Sequence, residues 1–101
     1  MKQFLIRYRH TEGSTEDWHR EIGNFIAAID ADPALKGKIG YRCMKARDGA
    51  DYFHIATVRE ESGQRALQER AFFKHYTDQT RRISGGTVEV TPLEIVAQTA
   101  D

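Results

Sequence analysis

Residues 39–60 read IGYRCMKARDGADYFHIATVRE, and this stretch decides the fold. Two runs of alternating side chains, IGYRCMKAR and YFHIATVRE, flank the Asp48-Gly49 pair. That dipeptide between alternating apolar runs is a strong short-range hairpin signal, so the two runs read as neighbouring antiparallel strands. In the second of them Tyr52, His54, Ala56 and Val58 alternate with Phe53, Ile55, Thr57 and Arg59. Both sets are largely apolar. A strand of this kind is central in its sheet and is expected to be covered on both faces.

Working outward toward the N-terminus, residues 2–10 also alternate, with Phe4, Ile6 and Tyr8 on one side and Leu5, Arg7 and Arg9 on the other. This is the first strand. Gly13 breaks it, and Ser14 is placed to cap a helix with Asp17 three residues on. Trp18, Ile22, Phe25, Ile26 and Ile29 then form one apolar stripe at helical spacing. Pro33 disfavours helical geometry at Asp32 and ends the element near there. Toward the C-terminus, Glu60 to Gly63 close the third strand and open a second helix, expected over residues 63–83 with Ser62 as its cap. Gly85-Gly86 stops that helix. TVEVTPLEIVA, residues 87–97, is a fourth strand in which Pro92 marks an edge, a bend or a bulge.

The resulting order predicts an α+β fold: a ferredoxin-like β-α-β-β-α-β sandwich with an antiparallel sheet and both helices on one face, formed by residues 1–101 as one domain. Helices cover only one side of such a sheet. The apolar second face is expected to be covered by another copy of the same sheet, packed about a twofold axis to give a homodimeric α+β barrel.

Charge narrows the function. Fifteen Lys and Arg balance fifteen Asp and Glu, leaving no net charge. Proteins that grip phosphate backbones show a basic excess or stripe, so no nucleic-acid partner is expected. The opening MKQFLIRYRH is interrupted by Arg7 and Arg9 and reads as neither a signal peptide nor a membrane span, so no membrane partner is expected. Cys43 stands alone and can form no internal disulfide, in keeping with a reducing, cytoplasmic setting. No dinucleotide, P-loop or nucleophile-elbow pattern occurs.

The run KIGYR (38–42), the hairpin, FHIATVRE (53–60), RALQER (65–70) and FFKHY (72–76) resembles the antibiotic biosynthesis monooxygenase family of the dimeric α+β barrel superfamily. The resemblance implies a monooxygenase-like protein that oxidises a small electron-rich, aromatic or quinol-like organic molecule without a tightly bound cofactor. In such chemistry the protein deprotonates and orients the substrate, whose carbanion reacts with oxygen. The family's second helix often carries two histidines; here Arg70 stands at the first position and His75 at the second. The haem-degrading branch uses an asparagine on the first strand and a tryptophan early in the second helix. Arg7 and Gln68 or Glu69 stand at those places, which makes haem, held axially by His54 or His75, the least favoured reading. A non-catalytic, ligand-binding or stress-associated domain on the same scaffold is the alternative.

His75 is the first candidate for catalysis. It lies at the border of the stripe formed by Phe72, Tyr76 and Ile83, where an imidazole, ordinarily titrating near neutrality, can take a proton from a phenolic ligand. Tyr76 can then hydrogen-bond the resulting oxygen. The bland reading of His75 is a half-buried helix residue bonded to backbone or water. Phe72 and Phe73 are expected to wall the pocket from the helix. His54 points either into the same cavity or toward the dimer face, because its register is open. Arg7 and Arg42 are placed either on a solvated or dimer face or inside the barrel, where a guanidinium fork would match a carboxylate or polarised oxygen. Trp18 reads as core and Cys43 as inert packing. Four scattered histidines without ligand spacing predict no metal site.

Overall fold

The computed structural model describes residues 1–100. Its elements are β1 (Lys2–Arg9), α1 (Thr15–Ala31), β2 (Ile39–Lys45), β3 (Asp51–Val58), α2 (Glu61–Glu69), α3 (Ala71–Ile83) and β4 (Val88–Leu93). The four strands form one antiparallel sheet in the order β2-β3-β1-β4. The ferredoxin-like arrangement expected from the sequence is the one observed. Asp48-Gly49 lies in the connection between β2 and β3, which closes with the Ala46 amide donating to the Asp51 carbonyl at 2.9 Å. Pro92 sits on the edge strand β4, where a residue without an amide hydrogen is tolerated.

Ser14 caps α1 as its position suggested, its Oγ accepting from the Asp17 amide at 2.9 Å. The apolar stripe of α1 supplies Trp18, Ile22, Phe25 and Ile29 to the core. They pack on the sheet face formed by Tyr8, Ile39, Tyr52 and Val58. Phe25 stacks parallel to Tyr76 of α3 with ring centroids 3.8 Å apart, joining the two helices within their layer. Burying one such aromatic side chain stabilises a fold by about 2–3 kcal/mol, so this contact is a main tie between α1 and α3.

The second helix differs from expectation. It is two helices, α2 and α3, separated by Arg70 in extended conformation (φ −79°, ψ 133°), and α2 begins after Glu60 rather than Ser62. No proline or glycine causes the break. The reason lies in the phase of the apolar residues. Leu67 and Tyr76, both buried, are nine positions apart, which on an unbroken helix of about 100° per residue puts them on opposite sides. The interruption at Arg70 rephases the chain so that both face the sheet. The Arg70 guanidinium fixes the junction by donating from Nε to Asp32 Oδ2 at 2.7 Å, at the C-terminal cap of α1.

Candidate functional site

Register places the two faces of the sheet. Phe4, Ile6 and Tyr8 of β1 lie opposite Ala56, His54 and Tyr52 of β3, and all six point to the helices. Tyr41 and Cys43 of β2 lie opposite Ala56 and His54 and share that face. Between this face and α2–α3 opens a cavity of about 380 Å³. Its walls are mostly apolar, with Phe4, Ile6 and Val90 from the sheet and Leu67 and Phe73 from the helices. Gln64, Gln68, Thr77, Thr80 and Arg81 are its polar lining on the helix side, and Tyr41 and Tyr76 its two tyrosines. Val90 is 59 % exposed although it lines this space, because the edge strand leaves the cavity open on that side.

Behind the tyrosines lies a buried hydrogen-bonded array. His54 has no exposed surface. Its Nε2 is 2.8 Å from Tyr8 Oη, and its Nδ1 is 3.2 Å from Tyr41 Oη and 3.3 Å from Tyr76 Oη. Trp18 Nε1 donates to Tyr8 Oη at 2.8 Å. Burial lowers the His54 pKa to about 4, so the ring is neutral at pH 7. The same removal from water pushes Tyr8, Tyr41 and Tyr76 above the ordinary phenol range, and all three keep their protons. Cys43 beside them is raised to about 11 by burial and remains a thiol. The array is therefore uncharged, a set of neutral donors and acceptors in a low-dielectric setting.

The residues singled out from sequence divide among three places. Tyr76 and Phe73 line the cavity, and Phe72 packs beside them on Phe25 with centroids 6.0 Å apart. His54 points to the helix side and sits beneath the cavity tyrosines, not on the opposite face. His75 lies elsewhere: its side chain is 57 % exposed and faces Glu21 of α1, with Nε2 3.3 Å from Oε1, and it does not line the cavity. One residue of helical rotation, about 100°, separates it from Tyr76 and carries it past the cavity rim. A base reaching the ligand from His75 therefore has no geometric support.

Arg7 and Arg42 point away from the cavity as well. Arg7 pairs across with Phe53, its Cζ 5.7 Å from that ring's centroid, and Arg42 with Ile55, both on the helix-free face. Strand alternation dictates this once Tyr8 and Tyr41 face the helices. Of the two positions open for these arginines, the outer face is the one observed. Tyr41 is a cavity residue that sequence reading passed over, although it shares the parity of Cys43 and so, across the hairpin, the face of His54. Haem fits poorly here. An axial ligand needs a free imidazole nitrogen over open space, whereas both His54 nitrogens meet tyrosine hydroxyls and His75 faces Glu21.

No family model and no curated protein matches this sequence. Solved structures do match. SnoaB, a cofactor-independent oxygenase from Streptomyces nogalater, superposes with a TM-score of 0.75 at 16 % identity, covering 99 % of this chain and 97 % of that one. Rv0793 from Mycobacterium tuberculosis gives a TM-score of 0.74 at 13 % identity, over 98 % of both chains. A structure described as an antibiotic biosynthesis monooxygenase gives 0.76 at 7 % identity, over 96 % of this chain and all of that one. The chain thus has the fold of the antibiotic biosynthesis monooxygenase-like proteins. Chain length agrees too, since the superpositions leave almost nothing over on either side.

Proposed function

We propose that this protein is a monooxygenase-like enzyme that takes a small aromatic or quinol-like molecule into the cavity between α2–α3 and the sheet. One observation carries the reading: a cavity of ligand size, apolar along its walls, lined by two tyrosines whose hydroxyls join a buried polar array. The likeness to a cofactor-independent oxygenase supports the choice of reaction. The balanced step is the conversion of an activated ring methylene to a ring ketone by molecular oxygen. One oxygen atom enters the carbonyl and the other leaves as water with the two methylene hydrogens. The substrate carbon supplies all four electrons, so no other reductant enters. The protein's part is to bind and orient the electron-rich form of the ligand.

Oxygen uptake across a panel of phenols, quinols and ring-methylene compounds tests this reading. Tyr76→Phe is expected to lower turnover about tenfold or more by removing one hydroxyl at the reacting end, with a fold check by circular dichroism. Equal uptake by wild type and variant would argue against it. One feature favours a second reading, a non-catalytic binding module: among the described residues, no carboxylate or imidazole lines the cavity to act as base. Saturable binding of the panel without oxygen uptake would select that alternative.

The protein acts as a homodimer through its helix-free sheet face. Leu5, Phe53 and Ile55 on that face are half-buried, and Met44 and Leu93 beside them are exposed. An apolar face on a small sheet is stabilised by a self-complementary partner.

A further inference from the structure

The direction of the hydrogen bonds around His54 can be worked out from donor and acceptor counts. Trp18 Nε1–H can only donate, and it donates to Tyr8 Oη. Tyr8 Oη must then place its own hydrogen elsewhere, and its other hydrogen-bond partner among the described residues is His54 Nε2 at 2.8 Å. Nε2 is thereby the acceptor, and a neutral ring carries its hydrogen on Nδ1. That N–H is directed at the oxygens of Tyr41 and Tyr76, 3.2 Å and 3.3 Å away. The opposite tautomer would present two N–H donors to Tyr8 Oη, from Trp18 and from Nε2, and would strand the Tyr8 hydroxyl hydrogen in the core. Buried donors are rarely left unpaired, and this decides between the two.

The consequence reaches the cavity. Tyr41 and Tyr76 receive the Nδ1–H on their oxygens, so neither can turn its hydrogen toward His54. Their two hydrogens can make one bond between the hydroxyls. The remaining acceptor beside them is the neutral thiol of Cys43, a weak one. A ligand oxygen is a better acceptor than that thiol. We propose that His54 is a positioning residue: held as the Nδ1–H tautomer by the Trp18–Tyr8 chain, it keeps the hydroxyl hydrogens of Tyr41 and Tyr76 off its own ring, so that the one not shared between the two hydroxyls is offered to the cavity and selects ligands that bring an acceptor oxygen to that end. This rests on the cavity being the ligand site, as proposed above. Carbonyl and phenolate oxygens fit; a ligand offering only a donor there does not.

Two measurements test it, and the first needs no ligand. Long-range proton–nitrogen correlation spectra of protein labelled with nitrogen-15 histidine report the tautomer of His54 directly. The expected pattern is pyrrole-type nitrogen at Nδ1 and pyridine-type at Nε2; the reverse pattern overturns the inference. The second measurement compares naphthoquinone with naphthalene, which share a flat bicyclic body and differ in acceptor oxygens. The quinone should bind about tenfold more tightly, the worth of one good hydrogen bond. His54→Asn, whose amide can supply an N–H where Nδ1 stands, should keep that preference, and His54→Leu should lose it. Should the leucine variant fail to fold, Tyr8→Phe replaces it. Tyr8 is outside the cavity lining, yet its loss should produce a mixture of tautomers and a smaller preference for the quinone. Equal binding of the two probes by wild type overturns the inference while leaving the cavity as a binding site. Binding of neither probe counts instead against the cavity reading, and the tautomer spectrum still decides the role of His54.

Discussion

His54 is a neutral imidazole with no exposed surface, hydrogen-bonded on both nitrogens, in the middle of a sheet. Its folded-state pKa of about 4 lies below the ordinary value of 6.5, because burial penalises the charged ring. In acid, therefore, the unfolded chain takes up this proton before the folded one does. The stability tied to the neutral ring is fully present above pH 6.5 and is lost as the pH falls toward 4. The expected loss from this group is roughly 3 kcal/mol, a substantial part of the stability of a small domain. Urea denaturation followed across that interval should show the decline, and His54→Asn should flatten it. A wild-type profile level over the same range would contradict the burial of a neutral ring. Sequence could place His54 on a strand and no further, because the side it faces depends on which neighbouring residues the helices cover.

At the scale of the element, α2 is held close over the start of β2 by Gly63. A Cβ added there would lie 2.7 Å from Lys38 Cβ and 3.4 Å from Ile39 Cγ1. Alanine in place of a helical glycine ordinarily contributes about 1 kcal/mol of stability. Overpacking against a Cβ fixed to the backbone costs about 1–3 kcal/mol and acts in the opposite sense. The clash is the larger effect, so Gly63→Ala should lower stability by about 1 kcal/mol, measured as a fall in denaturation midpoint without a change in slope. A rise in midpoint would show that α2 can lift from β2 without cost. The α2–α3 break belongs to the same scale. QERAFF contains no residue that ends a helix by itself, and the sign of the break is the half-turn mismatch between Leu67 and Tyr76. That mismatch was present in the sequence. What kept the position of the break illegible was the bond that fixes it, from Arg70 to Asp32 thirty-eight residues away.

For the molecule as a whole, the two faces of the sheet have separate tasks. The helix side carries the aromatic core, the cavity and the His54 array. The other side carries Leu5, Phe53 and Ile55 under a partial cover of Arg7. Ile55→Lys puts a charge at the centre of that face while leaving the core untouched. It should convert a dimer to a monomer at micromolar concentration in light scattering, with little change in secondary structure. A wild-type protein that is already monomeric would remove the barrel arrangement. The sequence by itself determined the order of the elements, the hairpin at Asp48-Gly49, the Ser14 cap and the alternation of each strand, because these depend on torsional preferences and periodicities within a few residues. Only the tertiary structure decided that Tyr8, Tyr41, His54 and Tyr76 meet, that Arg7 and Arg42 turn away from the cavity, and that His75 turns to Glu21. Those outcomes depend on strand register and helix rotation. Both are set by which apolar faces pack together, and a shift of one residue in either sends a side chain to another surface.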